Sequence, residues 1–325
     1  SFAAGYEYRE DSGSTTNDAL ILQGITTAGS SLNTIGSYEV DDLFVELLYV
    51  TGDLELSVAS RYSDYSTFGN TTNSEVGFQY QVNDMVGLRG TFSEAFRAPS
   101  VPDLYGGTSL GYPTADDACD NNTESGGQAT AFCQANGVPA TGFVSSIVQI
   151  PTLTGGNPNL EPETSESYTV GAVIDPIDGL TMTVDYWSIE IDNAVGTVGT
   201  TDLIRLCATQ GLYCDRTVRF SAPVSVIGQI IRVEDTNNNV GTETYTGVDL
   251  GIVADLPSIA GGDLTFDMQA TYNEETQVVT AGGLVVENLA GTVTQTYGMY
   301  ARWRALTKLN WNKGAINVSY TNRYI

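Results

Sequence analysis

Residues 92–105 read FSEAFRAPSVPDLY, and residues 156–168 read GNPNLEPETSESY. The first stretch alternates as far as Arg97 and then meets Pro99 and Pro102, which lack the backbone N–H that a sheet ladder needs, so a strand stops there. In the second, Asn157-Pro158 and Pro162 hold an extended, turn-rich lead-in until alternation resumes near Thr164. About fifty residues, Gly106 to Gly155, lie between them, far more than a compact domain spends on a plain connection. Two strands joined by a large excursion are the unit from which the rest of the chain is read.

Alternation of period two extends from this unit in both directions. Towards the N-terminus, Phe2, Ala4, Tyr6 and Tyr8 share one face, and a polar loop is expected from there to about Gly36. Leu43, Val45, Leu47 and Tyr49 then oppose Asp42, Phe44 and Glu46, and the next strands set Leu54, Leu56 and Val58 against Glu55 and Arg61. Val76, Phe78 and Tyr80 lead through Asn83-Asp84, a two-residue hairpin connection, to Val86, Leu88 and Phe92. Towards the C-terminus come Tyr168 to Ile174 and Leu180 to Tyr186, after which the apolar residues change phase to Trp187, Ile189 and Ile191. That change predicts a bulge or the end of the lipid-facing zone. A second excursion, Asn193 to about Gly241, precedes strands at Val248–Ala254 and Leu264–Tyr272. In the last two strands, Met299, Ala301, Trp303 and Leu309 oppose Arg302, Arg304 and Lys308, and Ile316 to Tyr324 follows.

About eleven strands result, with short turns after Val50, Val82, Ile174, Leu256 and Trp311 and mostly long connections at the other end. Such sorting of loops predicts an all-β, antiparallel transmembrane barrel wall, with short periplasmic turns, long extracellular loops, apolar residues towards lipid and polar ones towards a lumen. Composition agrees. With 39 acidic against 13 basic residues, a net charge of -26 and no His, a basic nucleic-acid face and His-based catalysis or zinc binding are excluded. No apolar run reaches the length of a transmembrane helix.

Phe96-Arg97-Ala98-Pro99-Ser100 with Asp103-Leu104-Tyr105, and Asn157-Pro158-Asn159-Leu160-Glu161-Pro162-Glu163-Thr164, resemble the barrel signatures of TonB-dependent outer-membrane receptors. Tyr38 to Leu47 and Tyr245 to Leu250 add weaker echoes, so the resemblance covers nearly the whole chain. It implies a barrel of about 22 strands around a plug. No plug or TonB-contacting box is visible and no terminal strand follows Ile325, so residues 1–325 are expected to form an internal piece of a longer receptor. The resemblance further implies a bacterial outer-membrane protein that performs no chemistry. It would import a scarce small-molecule nutrient (siderophore, haem, cobalamin or oligosaccharide), with TonB and its inner-membrane complex acting through the plug. A passive porin and a secreted β-sandwich adhesin are the alternatives; an outer-membrane enzyme would need a nucleophile and base that are not apparent.

Several side chains are candidates for more than structure. Both signature motifs double as a strand terminator and a strand-entry turn. Arg89, Arg302, Arg304 and Lys308 fall on the lumenal face, where they would line an anion path or pair with carboxylates such as Glu75, Asp249 and Asp267. Tyr105, Tyr112, Phe143 and Tyr213 lie in the excursions, where they would stack on a ligand or pack the loops. Asp116, Asp117, Asp120, Asn121, Asn122 and Glu124, or Asp235, Asn237 and Asn239, offer hard oxygens to calcium; a solvated acidic loop is the simpler expectation. Cys119, Cys133, Cys207 and Cys214 lack Cys-x-x-Cys spacing and point to disulfides, with local pairing preferred among three connectivities.

Overall fold

A computed structural model describes every residue except 28, 121–129, 224, 282–284, 287 and 295–297. Eleven long strands form its frame: β1 (Phe2–Thr15), β2 (Thr34–Thr51), β3 (Leu54–Tyr65), β4 (Gly69–Asn83), β5 (Val86–Arg97), β6 (Glu163–Ile177), β7 (Leu180–Asp192), β8 (Thr242–Ile259), β9 (Gly262–Val279), β10 (Trp303–Lys313) and β11 (Ile316–Tyr324). Each is hydrogen-bonded to the next in sequence, always antiparallel, so the sheet is an uninterrupted meander. No helix among the described residues is long and apolar enough to cross a membrane.

The register turns each strand's alternation into transverse rows. One row runs Gln79, Arg89, Gly171, Asp185, Asp249, Thr271, Arg304 on the concave face. One residue along each strand, the row on the other face is Tyr80, Leu88, Ala172, Val184, Leu250, Ala270, Ala305. Leu43, Val45, Leu47, Val58, Val76, Phe92 and Val170 are likewise exposed on that outer face, as residues meant for lipid must be. At the end with short connections, Gly52 and Gly314 take φ of 54° and 57°, the left-handed region where a side chain is disfavoured.

Three expectations are corrected. The polar stretch after Arg9 is not a loop: β1 continues to Thr15, paired with β2 through Thr15↔Thr34. Its alternation fades because both faces are wet beyond the lipid, while the backbone ladder carries on. The 18-residue strands β2, β8 and β9 do the same, since 18 residues at about 3.3 Å each span roughly 59 Å against about 30 Å of hydrocarbon. Second, Met299 and Ala301 are not in the last pair of strands; Gly298–Tyr300 forms a small hairpin with Thr292–Thr294, and β10 begins at Trp303. Third, of the two outcomes expected at the phase change, the bulge is the one corrected: β7 runs through it without a shift against either neighbour, and the outer face turns polar at Ser188 and Glu190, where the lipid-facing zone ends. The bulge lies on β9, where Thr246 and Gly247 face Glu275 and Asn273 across an extra Glu274. Trp187, Ile189 and Ile191 stay on the concave face, where the Trp187 ring covers Gly247 of β8.

Those loops hold the buried apolar clusters. Residues from both long excursions build one small sheet, in the order Thr217–Arg219, Ile230–Glu234, Thr152–Thr154, Ser109–Gly111. Helix α1 (Val101–Tyr105) lies against β1 and β2, while α2 (Ala131–Ala135) packs on α3 (Thr200–Gln210), which itself packs on the small sheet. Ala115, Ile150, Leu203, Ile204, Ile230 and Val233 form one core, and Cys119, Cys133, Val138, Phe143 and Ala208 a second. Each cluster draws on both excursions, so together these form a cap.

Candidate functional site

The cap is attached where the two signature motifs meet. At the end of β5, Arg97 donates from Nε and Nη2 to the two carboxylate oxygens of Glu163 at 2.6 and 2.8 Å, and from Nη1 to Asp103 at 3.3 Å. Pro99 ends the strand, and Ser100 starts α1 in a reciprocal cap: its hydroxyl accepts from the Asp103 N–H, and the Asp103 carboxylate accepts from the Ser100 N–H at 2.9 Å. Burial pushes the Asp103 carboxyl up, but its hydrogen bonds from Ser100 and Arg97 outweigh that and hold it below its ordinary value. Asn157 ties the second motif to the first by donating its N–H to the Asp103 carbonyl at 2.9 Å. Leu160 is buried beside it. Phe96 is still within β5, its ring edge-on to Tyr65 at 5.7 Å, while Ala98, Pro158, Asn159 and Pro162 lie in the segments between the strands and the cap, where Asn159 donates its N–H to the Asn157 side chain. Gly156 permits the crossing, for a Cβ there would sit 2.4 Å from the Gly106 nitrogen.

From that junction α1 reaches across the concave side to β1 and β2. Val101 lies over Gly13, and the Tyr105 ring covers Gly36 so closely that a Cβ would fall 2.1 Å from it. Tyr105 is therefore packed against the wall. Phe143 is 3% exposed inside the second core, and Tyr213 packs on the first with the Arg216 guanidinium 5.8 Å from its ring centre. Both are loop-packing residues here, because the excursions fold around them. Tyr112, 54% exposed, is the one of the four presented to solvent.

Between the cap and the short turns, the concave wall forms an open trough of about 830 Å³ bordered by Arg89, Thr183, Asp185, Asp249, Gln269 and Arg304. Arg89 grips Asp185 through both carboxylate oxygens at 2.7 and 2.6 Å, not one of the carboxylates expected from sequence. Gly171 makes this reach feasible: it stands between the two in the row, and a Cβ on it would lie 2.0 Å from the Asp185 oxygen. Arg302 does not line the trough; it donates to the Ala290 carbonyl at 2.6 Å and fixes the base of an outer loop. Arg304 and Lys308 remain on the wall without an ion pair among the described residues, although Lys308 stands opposite Asp267 in register.

Disulfides join Cys119 to Cys133 and Cys207 to Cys214, one within each excursion. Besides the shared sheet and cores, the excursions are linked by an ion pair that local sequence did not reveal. Arg219 donates to both oxygens of Asp117 at 2.6 and 2.8 Å, with side chains 2% and 0% exposed. Of the candidate calcium ligands, Asp117 is thus engaged, while Asn121, Asn122 and Glu124 lie outside the described residues. Asp235 accepts from the Val198 and Gly199 N–H groups, and burial raises its carboxyl despite those bonds. Asn237 and Asn239 staple backbone: Asn239 accepts from the Glu161 N–H and donates to the Glu161 carbonyl. Asp235, Asn237 and Asn239 bridge loop segments, and among the described residues no group of His, Cys, Asp or Glu forms a metal cluster.

A long antiparallel meander with lipid-facing side chains on one face, a polar wall on the other and a folded cap at one end is the fold of a large outer-membrane transport barrel. Residues 1–325 match the family described as TonB dependent receptor-like, beta-barrel, and the chain belongs to that family. Its place is the bacterial outer membrane. Over 77 residues, 24% of this chain and 12% of its own length, the vitamin B12 transporter of Vibrio vulnificus is 34% identical. The ferric enterobactin receptor of Pseudomonas aeruginosa superposes with a TM-score of 0.61 at 16% identity, over 98% of this chain and 38% of that one. The siderophore receptor PirA of Acinetobacter baumannii gives 0.58 at 14%, over 98% and 39%. These likenesses establish the fold, and the chain spans well under half of those receptors.

Proposed function

We propose that this barrel wall and its cap belong to a receptor that captures a scarce small-molecule nutrient at the cell surface and imports it with energy delivered through TonB. The observation that carries this reading is the cap itself: two excursions folded into a cross-linked body and tied to the wall pair Arg97–Glu163, through Arg97 to Asp103 in the first excursion and through the Val195 N–H to Glu163 in the second, above a polar trough of about 830 Å³. A cap with its own cores presents a fixed surface for capture, and a trough of that size matches small-molecule ligands. The named relatives and structural neighbours, a vitamin B12 transporter and siderophore receptors, take ligands of this kind. The polar wall would face a plug supplied by the rest of the receptor, through which TonB acts.

Uptake of radiolabelled cyanocobalamin and of iron-siderophore complexes by cells carrying the whole receptor, with and without functional TonB, tests the reading. Saturable uptake that disappears without TonB is expected. Uptake that is unsaturable and equal in both strains would make the protein a passive porin.

A further inference from the structure

Every basic side chain of the outer region is already engaged. Residues 98–160 contain Asp103, Asp116, Asp117, Asp120 and Glu124 and no Lys or Arg. In residues 193–241, Arg205 pairs with Asp202 at 2.8 Å, Arg219 with Asp117 at 2.6 Å and Arg232 with Glu234 at 2.7 Å. Arg216 donates to the Asn238 side chain at 2.7 Å and covers the Tyr213 ring. Arg97 is held by Glu163 and Asp103, Arg9 by Asp11 and Arg302 by the Ala290 carbonyl. Residues 28, 121–129, 224, 282–284, 287 and 295–297 add no Lys or Arg. The cations without an ion pair or hydrogen bond among the described residues, Arg304, Lys308 and Arg323, sit on β10 and β11, on the barrel wall beneath the cap.

From this we infer that the cap selects a ligand that is uncharged or cationic and discriminates against polyanions. This deepens the receptor reading and rests on it. A polyanion needs charge-assisted donors, and the charge of each outer guanidinium is already offset by a carboxylate or drawn onto a carbonyl or ring, which weakens what it can offer an anion. Arg219 is sealed in the cap and cannot turn outward. The surplus of carboxylates would meanwhile repel the approaching anion and slow its encounter. A neutral or cationic complex meets neither obstacle, and hydrogen-bonding loops with exposed Tyr112 suit it.

The test uses the whole receptor in lipid nanodiscs at low salt, with equilibrium dialysis of three probes. These are a neutral ferric trihydroxamate complex, neutral cyanocobalamin, and a trianionic ferric tris-catecholate complex. A neutral probe is expected to bind at least about tenfold more tightly than the tris-catecholate. The exposed pair Asp116 and Asp215, replaced as D116K/D215K, should bring the tris-catecholate measurable gain in affinity. Tris-catecholate binding as tight as that of the neutral probes, or no gain in the double variant, overturns the charge assignment alone. No binding of any probe to correctly folded receptor overturns the receptor reading beneath it.

Discussion

Ile252 and Gln269 lie on adjacent strands but on opposite faces, which makes them the sharpest probe of how the wall is oriented. Ile252 is paired in register with Met182 and Met268, and Gln269 sits beside Gly251 on the trough. Seven residues separate Ile252 from the end of β8 at Ile259. At about 3.3 Å each and a tilt of about 40°, that places Ile252 roughly 18 Å above the short turns. A lipid-facing band about 25 Å tall that starts at those turns puts it about 5 Å above the midplane, well inside the hydrocarbon. Ile252→Arg should therefore cost about 2–4 kcal/mol, the range for Arg on the lipid face at that depth. Gln269→Arg enters a wet trough beside Asp249 and Asp267 and should cost under about 0.5 kcal/mol. Urea titration of the whole receptor in liposomes, with the folded fraction read by heat-modifiable mobility in gels, measures both. Equal costs, or a larger one for Gln269→Arg, would refute the assignment of faces.

Asp117→Ala should destabilise the cap by about 3–5 kcal/mol, because it strands a buried Arg219, whereas D117A/R219M should recover much of that; limited proteolysis of the cap reports it. Peptide mapping without reductant should return Cys119–Cys133 and Cys207–Cys214 only, and Cys119→Ala/Cys133→Ala should weaken the cap by about 2–4 kcal/mol. Asp103 is held below its ordinary value of 3.8, so its contribution is complete above that pH and fades as pH falls through its lower folded value. Asp235 is raised, so its contribution is present below 3.8 and is lost as pH rises through its folded value. The protection of α1 amides against hydrogen exchange, taken relative to the intrinsic rate at each pH, should therefore fall in acid, and Asp103→Asn should flatten that profile.

Strand order and facing were legible wherever lipid imposes alternation: Leu43 to Tyr49, Val76 to Tyr80 and Val248 to Ala254 announce both strand and face. Legibility stopped where the lipid stops. From Glu10 to Thr15 the backbone keeps its ladder while the side chains have two wet faces, and no period marks the strand. The cap was harder still, since Phe143, Ile150 and Leu203 follow no period and meet only after the chain has folded back. Arg97 was singled out by its motif, yet its link to Glu163 spans 66 residues, and that of Arg89 to Asp185 spans 96. Pairing partners so far apart are fixed by strand register, and one signal was present all along: a glycine, Gly171, in an otherwise full strand, marking where two long side chains must meet over bare backbone.

The sealed pair Arg219–Asp117 joins positions 102 residues apart, in two excursions that the barrel itself keeps separate. Surface loops of receptors are natural targets for exchange between relatives, by recombination or by grafting, because a loop swap leaves the membrane wall untouched. Here the unit of exchange is two segments. A graft that brings in residues 98–160 from a relative lacking the acid at position 117 leaves a guanidinium with no countercharge in a dry interior, and the reciprocal graft leaves a carboxylate. Chimaeras that carry both excursions together should assemble, and those that carry one should be lost during export or degraded at the cell surface, so the antigenic face of this protein should vary as a linked pair.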